Sequence, residues 1–132
     1  MVIQVERYRR AQTGFTLIEL LIVLSVIALM LTLALPEYFH SIDRSKEKVL
    51  AENLHVTRDA IDKFYGDTGR YPESLQELVD KHYLRSLPVD PVTNSVESWH
   101  IVPPGDEAQG NVYDVKSGAQ GKNSEGKAYG DL

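Results

Sequence analysis

Glu19 is the residue whose position most demands a chemical explanation. It is an ionisable carboxylate at the fifth position of residues 15–35, a run in which 17 of 21 residues are apolar and only Thr16, Glu19, Ser25 and Thr32 are not. A charge inside a bilayer costs at least about 2–3 kcal/mol on insertion scales, so an acid there needs a partner or a use. The other reactive residue types are not arranged for chemistry. His40, His55, His82 and His100 show neither HxxxH nor HxH spacing, which argues against zinc. Ser, His and Asp all occur, but no G-x-S-x-G elbow prepares a nucleophile, so no catalytic residue is assigned. The absence of cysteine excludes disulfides, thiolate metal sites and cysteine nucleophiles together. Trp99 reads as core, not as a ligand platform. A formal net charge of -5 leaves no basic face for nucleic-acid phosphates.

The element that carries Glu19 must be a helix able to cross a membrane. At ~1.5 Å per residue, residues 15–35 reach across the ~30 Å hydrocarbon core of a bilayer. Arg7, Arg9 and Arg10 stand before it against the single acid Glu6, whereas residues 37–132 hold 11 Lys/Arg and 17 Asp/Glu, a net -6. The positive-inside rule therefore places the N-terminus in the cytoplasm and the bulk of the chain outside it. Other readings fit less well. A cleaved secretory signal has a shorter apolar core and a small-residue site behind it, and Ala34-Leu35-Pro36 is a poor one. A plain signal anchor explains neither Glu19 nor the Gly14-Phe15 pair before it. A buried helix of so small a soluble core would not be apolar on every face.

The segment G-F-T-L-I-E-L at Gly14 to Leu20 resembles the type III signal of type IV pilins and type II secretion pseudopilins. In that family a membrane-embedded prepilin peptidase cuts after the glycine and methylates the new N-terminal phenylalanine. The resemblance makes Gly14 the last leader residue, Phe15 the N-methylated terminus and Glu19 the assembly acid. A new α-amino group on Phe15 would pair with the Glu19 carboxylate of a neighbouring subunit, satisfying both charges and fixing axial register in a filament core. Pro36, 21 residues beyond Phe15, matches the helix proline of the family. Interior proline removes a backbone hydrogen bond, so a kink is expected there.

Beyond the span the helical pattern continues. Phe39, Ile42, Val49, Leu50, Val56, Ala60, Ile61 and Phe64 recur at steps of three, four and seven, the mark of one buried stripe on a helix ending near Tyr65 at Gly66 and Gly69. Ser74-Leu75-Gln76-Glu77 fits a capping box that opens a short helix to about His82. Residues 99–102 and 112–116 are strand candidates around a Pro- and Gly-containing loop, and two strands alone need the long helix as a further layer. The expected fold is α+β and pilin-like: a long N-terminal helix, half transmembrane and half amphipathic, packed on a short helix and a small antiparallel sheet. Its parts are a cytoplasmic leader (1–14), a transmembrane and filament-core helix (15–36) and an extracytoplasmic domain (37–132). The domain subdivides into the rest of the helix to about residue 65, an α/β loop (66–98) and the sheet with a C-terminal loop (99–132).

Y-P-E-S-L-Q-E-L, L-P-V-D-P, a Trp-led strand and V-Y-D-V-K-S-G-A-Q-G are similar to the G-type major pseudopilins of type II secretion. The resemblance then covers nearly the whole chain. It implies a non-enzymatic subunit of a periplasm-spanning filament, anchored once in the bacterial inner membrane with its C-terminal domain in the periplasm. Implied partners are copies of itself, minor pseudopilins, the prepilin peptidase and an inner-membrane assembly platform; nucleic acid is not among them. The alternatives are a type IV pilus subunit, major or minor, and a membrane-anchored periplasmic binding protein in which Gly14 and Glu19 are incidental. Pseudopilins of this type commonly hold calcium in the C-terminal loop, where Asp114, Ser117, Glu125 and Asp131 supply oxygen donors. Lys122, Asn123 and Lys127 stand where acids are expected, so the tail is expected to rest on backbone turns and on packing of Tyr129 instead.

Overall fold

A computed structural model describes residues 2–4 and 13–132. The basic flank with Arg7, Arg9 and Arg10 lies outside the described residues. Apolar residues without break from Leu17 onward, followed by the amphipathic pattern, give one helix, α1 (Leu17–Thr68), with Pro36 inside it. Two compact units divide the chain at Tyr38 and Phe39.

In the first unit no described residue covers any side of the apolar stretch of α1. A window of mean hydropathy 2.7 has none of its residues buried, and the helix is long and apolar enough to cross a membrane. Its hydroxyl interruptions are satisfied within the helix: Ser25 Oγ donates to Leu21 O (2.7 Å) and Thr32 Oγ1 to Ala28 O (2.9 Å).

The second unit packs a small core against the later turns of α1. Leu50, Leu54, Thr57, Ile61 and Phe64 are buried at alternating steps of four and three, one face of a helix. The expected stripe was wider. Phe39, Val49 and Val56 are exposed: Phe39 lies before the covered turns, and at ~3.6 residues per turn Val49 and Val56 point about 100° or more away from the face that carries Leu50 to Phe64. The helix also runs one turn beyond Tyr65. Gly66 keeps helical geometry, and Gly69, with φ +76°, supplies the left-handed end, its N–H donating to Tyr65 O (2.8 Å).

Helix α2 (Leu75–Asp80) contributes Leu75 and Leu78 to the core. Ser74 Oγ accepts from Glu77 N as the capping box requires, but Glu77 reaches one residue further back than expected. Its Oε2 accepts from Glu73 N (2.7 Å), and its carboxylate also pairs with Arg70. The strands are β1 (His100–Val102) and β2 (Asp114–Lys116), antiparallel with Ile101 opposite Val115. Both are shorter than the sequence suggests. Trp99 turns into the core and donates from Nε1 to Pro88 O (2.8 Å), while Val112 N donates to Pro72 O (2.9 Å), not to a strand. Leu84, Trp99, Val112 and Val115 complete the core.

Candidate functional site

The Gly14 to Leu20 segment opens α1. Among the described residues, chain neighbours apart, no atom lies within 4 Å of a Cβ built on Gly14, and Phe15 is 96% exposed, so none of them covers the Gly14–Phe15 bond. Thr16 and Glu19 cap the helix reciprocally: Thr16 N donates to Glu19 Oε2 (3.1 Å) and Glu19 N to Thr16 Oγ1 (3.3 Å). This is a capping box, and it gives the Glu19 carboxylate a local partner within its own subunit. The sequence signal was available in Thr16-Leu17-Ile18-Glu19, the same S/T-x-x-E pattern that was legible at Ser74. Glu19 therefore has a use in the isolated chain as well as the one expected of it in a filament. Pro36 lies within α1 beside Glu37, well beyond this segment.

The second group of interest surrounds the C-terminal loop. The chain folds back along α1 because β2 pairs with β1 and then turns at Ser117-Gly118. A Cβ on Gly118 would stand 1.9 Å from Ser98 O, so only glycine allows this approach. Arg58, on α1, donates from Nε to Asp114 Oδ1 (2.8 Å) and from Nη2 to Val115 O (2.9 Å) and Leu132 O (2.7 Å). Asp90, in the Leu87-Pro88-Val89-Asp90-Pro91 turn, is fully buried. Its Oδ1 accepts from Val92 N and Thr93 N, and its Oδ2 from Ser117 Oγ (2.5 Å). A buried carboxylate holding three donors ties the turn to the end of β2. Neither Arg58 nor Asp90 is singled out by the sequence. Charged residues beside the apolar stripe of α1, and an acid between two prolines, were the only hints.

The four oxygen donors that the family resemblance offers to calcium are not brought together. Asp114 Oδ1 is occupied by Arg58 and by Val115 N, and the Ser117 hydroxyl donates to Asp90 while accepting from Ala119 N. Glu125 and Asp131 are exposed. Among the described residues no three His, Asp or Glu side chains are placed to share a metal ion.

Elsewhere on the domain, hydrogen bonds from Arg70 first, and then from the Glu73 amide, hold the Glu77 carboxyl below its usual value. The Tyr83 hydroxyl is pushed up, chiefly by its hydrogen bond to Asp67 (2.7 Å). Burial raises Tyr129, which packs against the core as expected. These are contacts within the domain, and none is assigned a chemical role.

Comparison with known proteins agrees with this geometry. The prokaryotic N-terminal methylation motif matches residues 9–35. The type II secretion system core protein G of Pseudomonas aeruginosa is 30% identical over 130 residues, covering 86% of this chain and 88% of that protein. The core protein G of Klebsiella michiganensis is 26% identical, covering 80% of this chain and 83% of that one. The type IV major pilin protein PilA of Myxococcus xanthus is 32% identical over 75 residues, covering 57% of this chain and 34% of the pilin. No solved structure matches at a significant level. With the exposed Gly14–Phe15 bond, the capped apolar helix and the α+β domain behind it, the chain belongs to the family of the type II secretion system core protein G.

Proposed function

We propose that this chain is a structural, non-catalytic subunit of a type II secretion pseudopilus. The observation that carries the reading is the apolar half of α1, a membrane-length helix with no buried face, opening at an accessible Gly14–Phe15 bond and bearing one acid at Glu19. Lipid satisfies such a helix in the free subunit, and other copies of the same helix satisfy it in a filament.

Processing after Gly14 leaves a cationic α-amino group on Phe15. It competes with the Thr16 amide for the Glu19 carboxylate of a neighbour, and a pair in low dielectric holds register. The subunit sits in the bacterial inner membrane with residues 37–132 in the periplasm. It is cut and methylated by a prepilin peptidase, and is added to copies of itself and to minor pseudopilins at an inner-membrane assembly platform.

The type IV pilus reading is less well supported. Similarity to the Myxococcus pilin reaches 34% of that protein, against 88% and 83% of the two core G proteins.

The test uses Glu19→Ala in a strain whose own major pseudopilin is deleted. The variant inserts in the membrane as well as the parent, or better, because a charge leaves the lipid. The yield of sheared filaments and the export of secreted protein both collapse. Normal filaments from Glu19→Ala would mean that Glu19 does not direct assembly, and a parent chain that restores neither filaments nor export would refute the reading.

A further inference from the structure

In the C-terminal loop of this chain Ser124 turns hydrogen-bond donors, not acceptors, toward α1. Calcium takes six to eight oxygen ligands, so a loop that binds it must turn acceptors inward. Here the loop turns donors inward. Ser124 N–H donates to Glu47 Oε1 (2.7 Å) and Ser124 Oγ–H to Glu47 Oε2 (2.6 Å), so both oxygens of a carboxylate on α1 are taken by one loop residue.

Asn123 shapes the turn that presents it. Its Oδ1 accepts from Glu125 N (3.0 Å) and Lys127 N (2.9 Å), and its own N–H donates to Lys127 O (2.8 Å). Lys122, bridged to Ala128 across the loop, and Lys127 are the cations of this segment, where a divalent ion would need acids. Asp114 and Ser117, the donors at the loop's entrance, are already bound to Arg58 and Asp90.

We infer that the tail is held by a metal-free clasp with two arms on α1, Glu47 gripping Ser124 and Arg58 gripping Asp114, Val115 and Leu132. Eleven residues separate the arms, which is about three turns at ~3.6 residues per turn, so both project from one face of the helix. Each arm supplies charge-assisted hydrogen bonds, the stronger kind, to a segment with neither disulfide nor large core of its own. The tail of this protein then keeps its place whether or not calcium is present. Its placement depends on two side chains of α1 that no metal-binding pattern would single out.

The test is amide hydrogen exchange and thermal melting on the full-length chain in detergent micelles, in chelator and in about 10 mM calcium, a concentration that fills extracellular-type sites to about nine-tenths or more. Exchange at Ser124, Gly126 and Lys127 should be the same in both, and the two melting temperatures should agree within about 1 °C. Glu47→Ala should speed exchange at Ser124 by at least about fivefold in both conditions while Ile61 is unchanged, the loss expected when a charge-assisted bond is removed. Should Glu47→Ala fold poorly, Ser124→Ala removes the hydroxyl arm from an exposed position and should speed exchange at Gly126 and Lys127 alone. Unchanged exchange in these variants overturns the clasp. So does a calcium-dependent rise of several degrees that Asp114→Ala or Glu125→Ala abolishes, which would restore a metal-bound loop.

Discussion

Replacing Asp90 tests whether one buried carboxylate organises the turn-to-sheet junction. Asp90→Ala removes three acceptor contacts at once, from Val92 N, Thr93 N and Ser117 Oγ. Thr93 is exposed, so water can take over its amide, whereas Ser117 is 3% exposed and its hydroxyl cannot reach solvent. Hydrogen bonds to a charged group contribute roughly 1.5–3 kcal/mol each, and a stranded buried donor costs about 1–3 kcal/mol. Relief from burying the charge offsets part of this, leaving a net loss of about 3 kcal/mol.

For a domain of this size each kcal/mol moves Tm by about 4–8 °C, so Asp90→Ala should melt roughly 12–24 °C lower. Asp90→Asn keeps the Oδ1 acceptor for the two amides, and Ser117 Oγ can turn to accept from its new NH2, so its loss should be about 1 kcal/mol. The assay is far-UV circular dichroism on full-length protein in detergent, with Trp99 fluorescence as a local probe because Trp99 Nε1 donates to Pro88 O in the same turn. A double-mutant cycle with Ser117→Ala should return a coupling of about 1–2 kcal/mol. Equal losses for Asn and Ala, or a loss below about 1 kcal/mol for Ala, would refute the assignment of a buried three-donor carboxylate.

Two further outcomes follow from contacts in the same domain. Glu77 is held below its ordinary 4.5, chiefly by Arg70. A depressed carboxyl stabilises the fold above its unfolded-state value, and that contribution is lost as pH falls through the folded value. Wild-type melting should therefore fall more steeply than that of Glu77→Gln on acidification below about pH 4.5, with the variant about 1 kcal/mol less stable at pH 7. Two glycines should respond with opposite signs in the same melts. Gly118→Ala should lose about 2 kcal/mol or more against the Ser98 carbonyl, and Gly66→Ala, helical and with no atom within 4 Å of its new Cβ, should gain about 0.5–1 kcal/mol.

The parts of this fold that were legible in the sequence are those governed by local periodicity and local chemistry. The apolar run, the capping box at Ser74, the helix end at the Gly66–Gly69 pair and the strand positions all depend on residues a few places apart. Long-range choices were not legible. Val49 and Val56 carry the apolar period but lie on α1 where no second layer covers them, while Leu54 and Thr57 take the buried positions. The second strand came out shorter because the Val112 amide donates to Pro72 O, a contact that no pattern within the strands encodes.

At the sites, Gly14, Phe15 and Glu19 were marked by their place beside the membrane run. The cap that Thr16 makes with Glu19 was readable but obscured by the assembly role expected of the acid. The tail contacts of Glu47 and Arg58 join residues 77 and 74 positions apart, beyond the reach of spacing arguments.

Processing at the N-terminus is read out by intact-mass measurement with N-terminal sequencing. The chain should be isolated from the membranes of cells that contain a prepilin peptidase. A mature protein beginning at Phe15 and carrying one added methyl group is the predicted result. A chain that still begins at Met1, or one cut near Leu35 as a secretory signal would be, contradicts cleavage after Gly14 and membership of a pseudopilus.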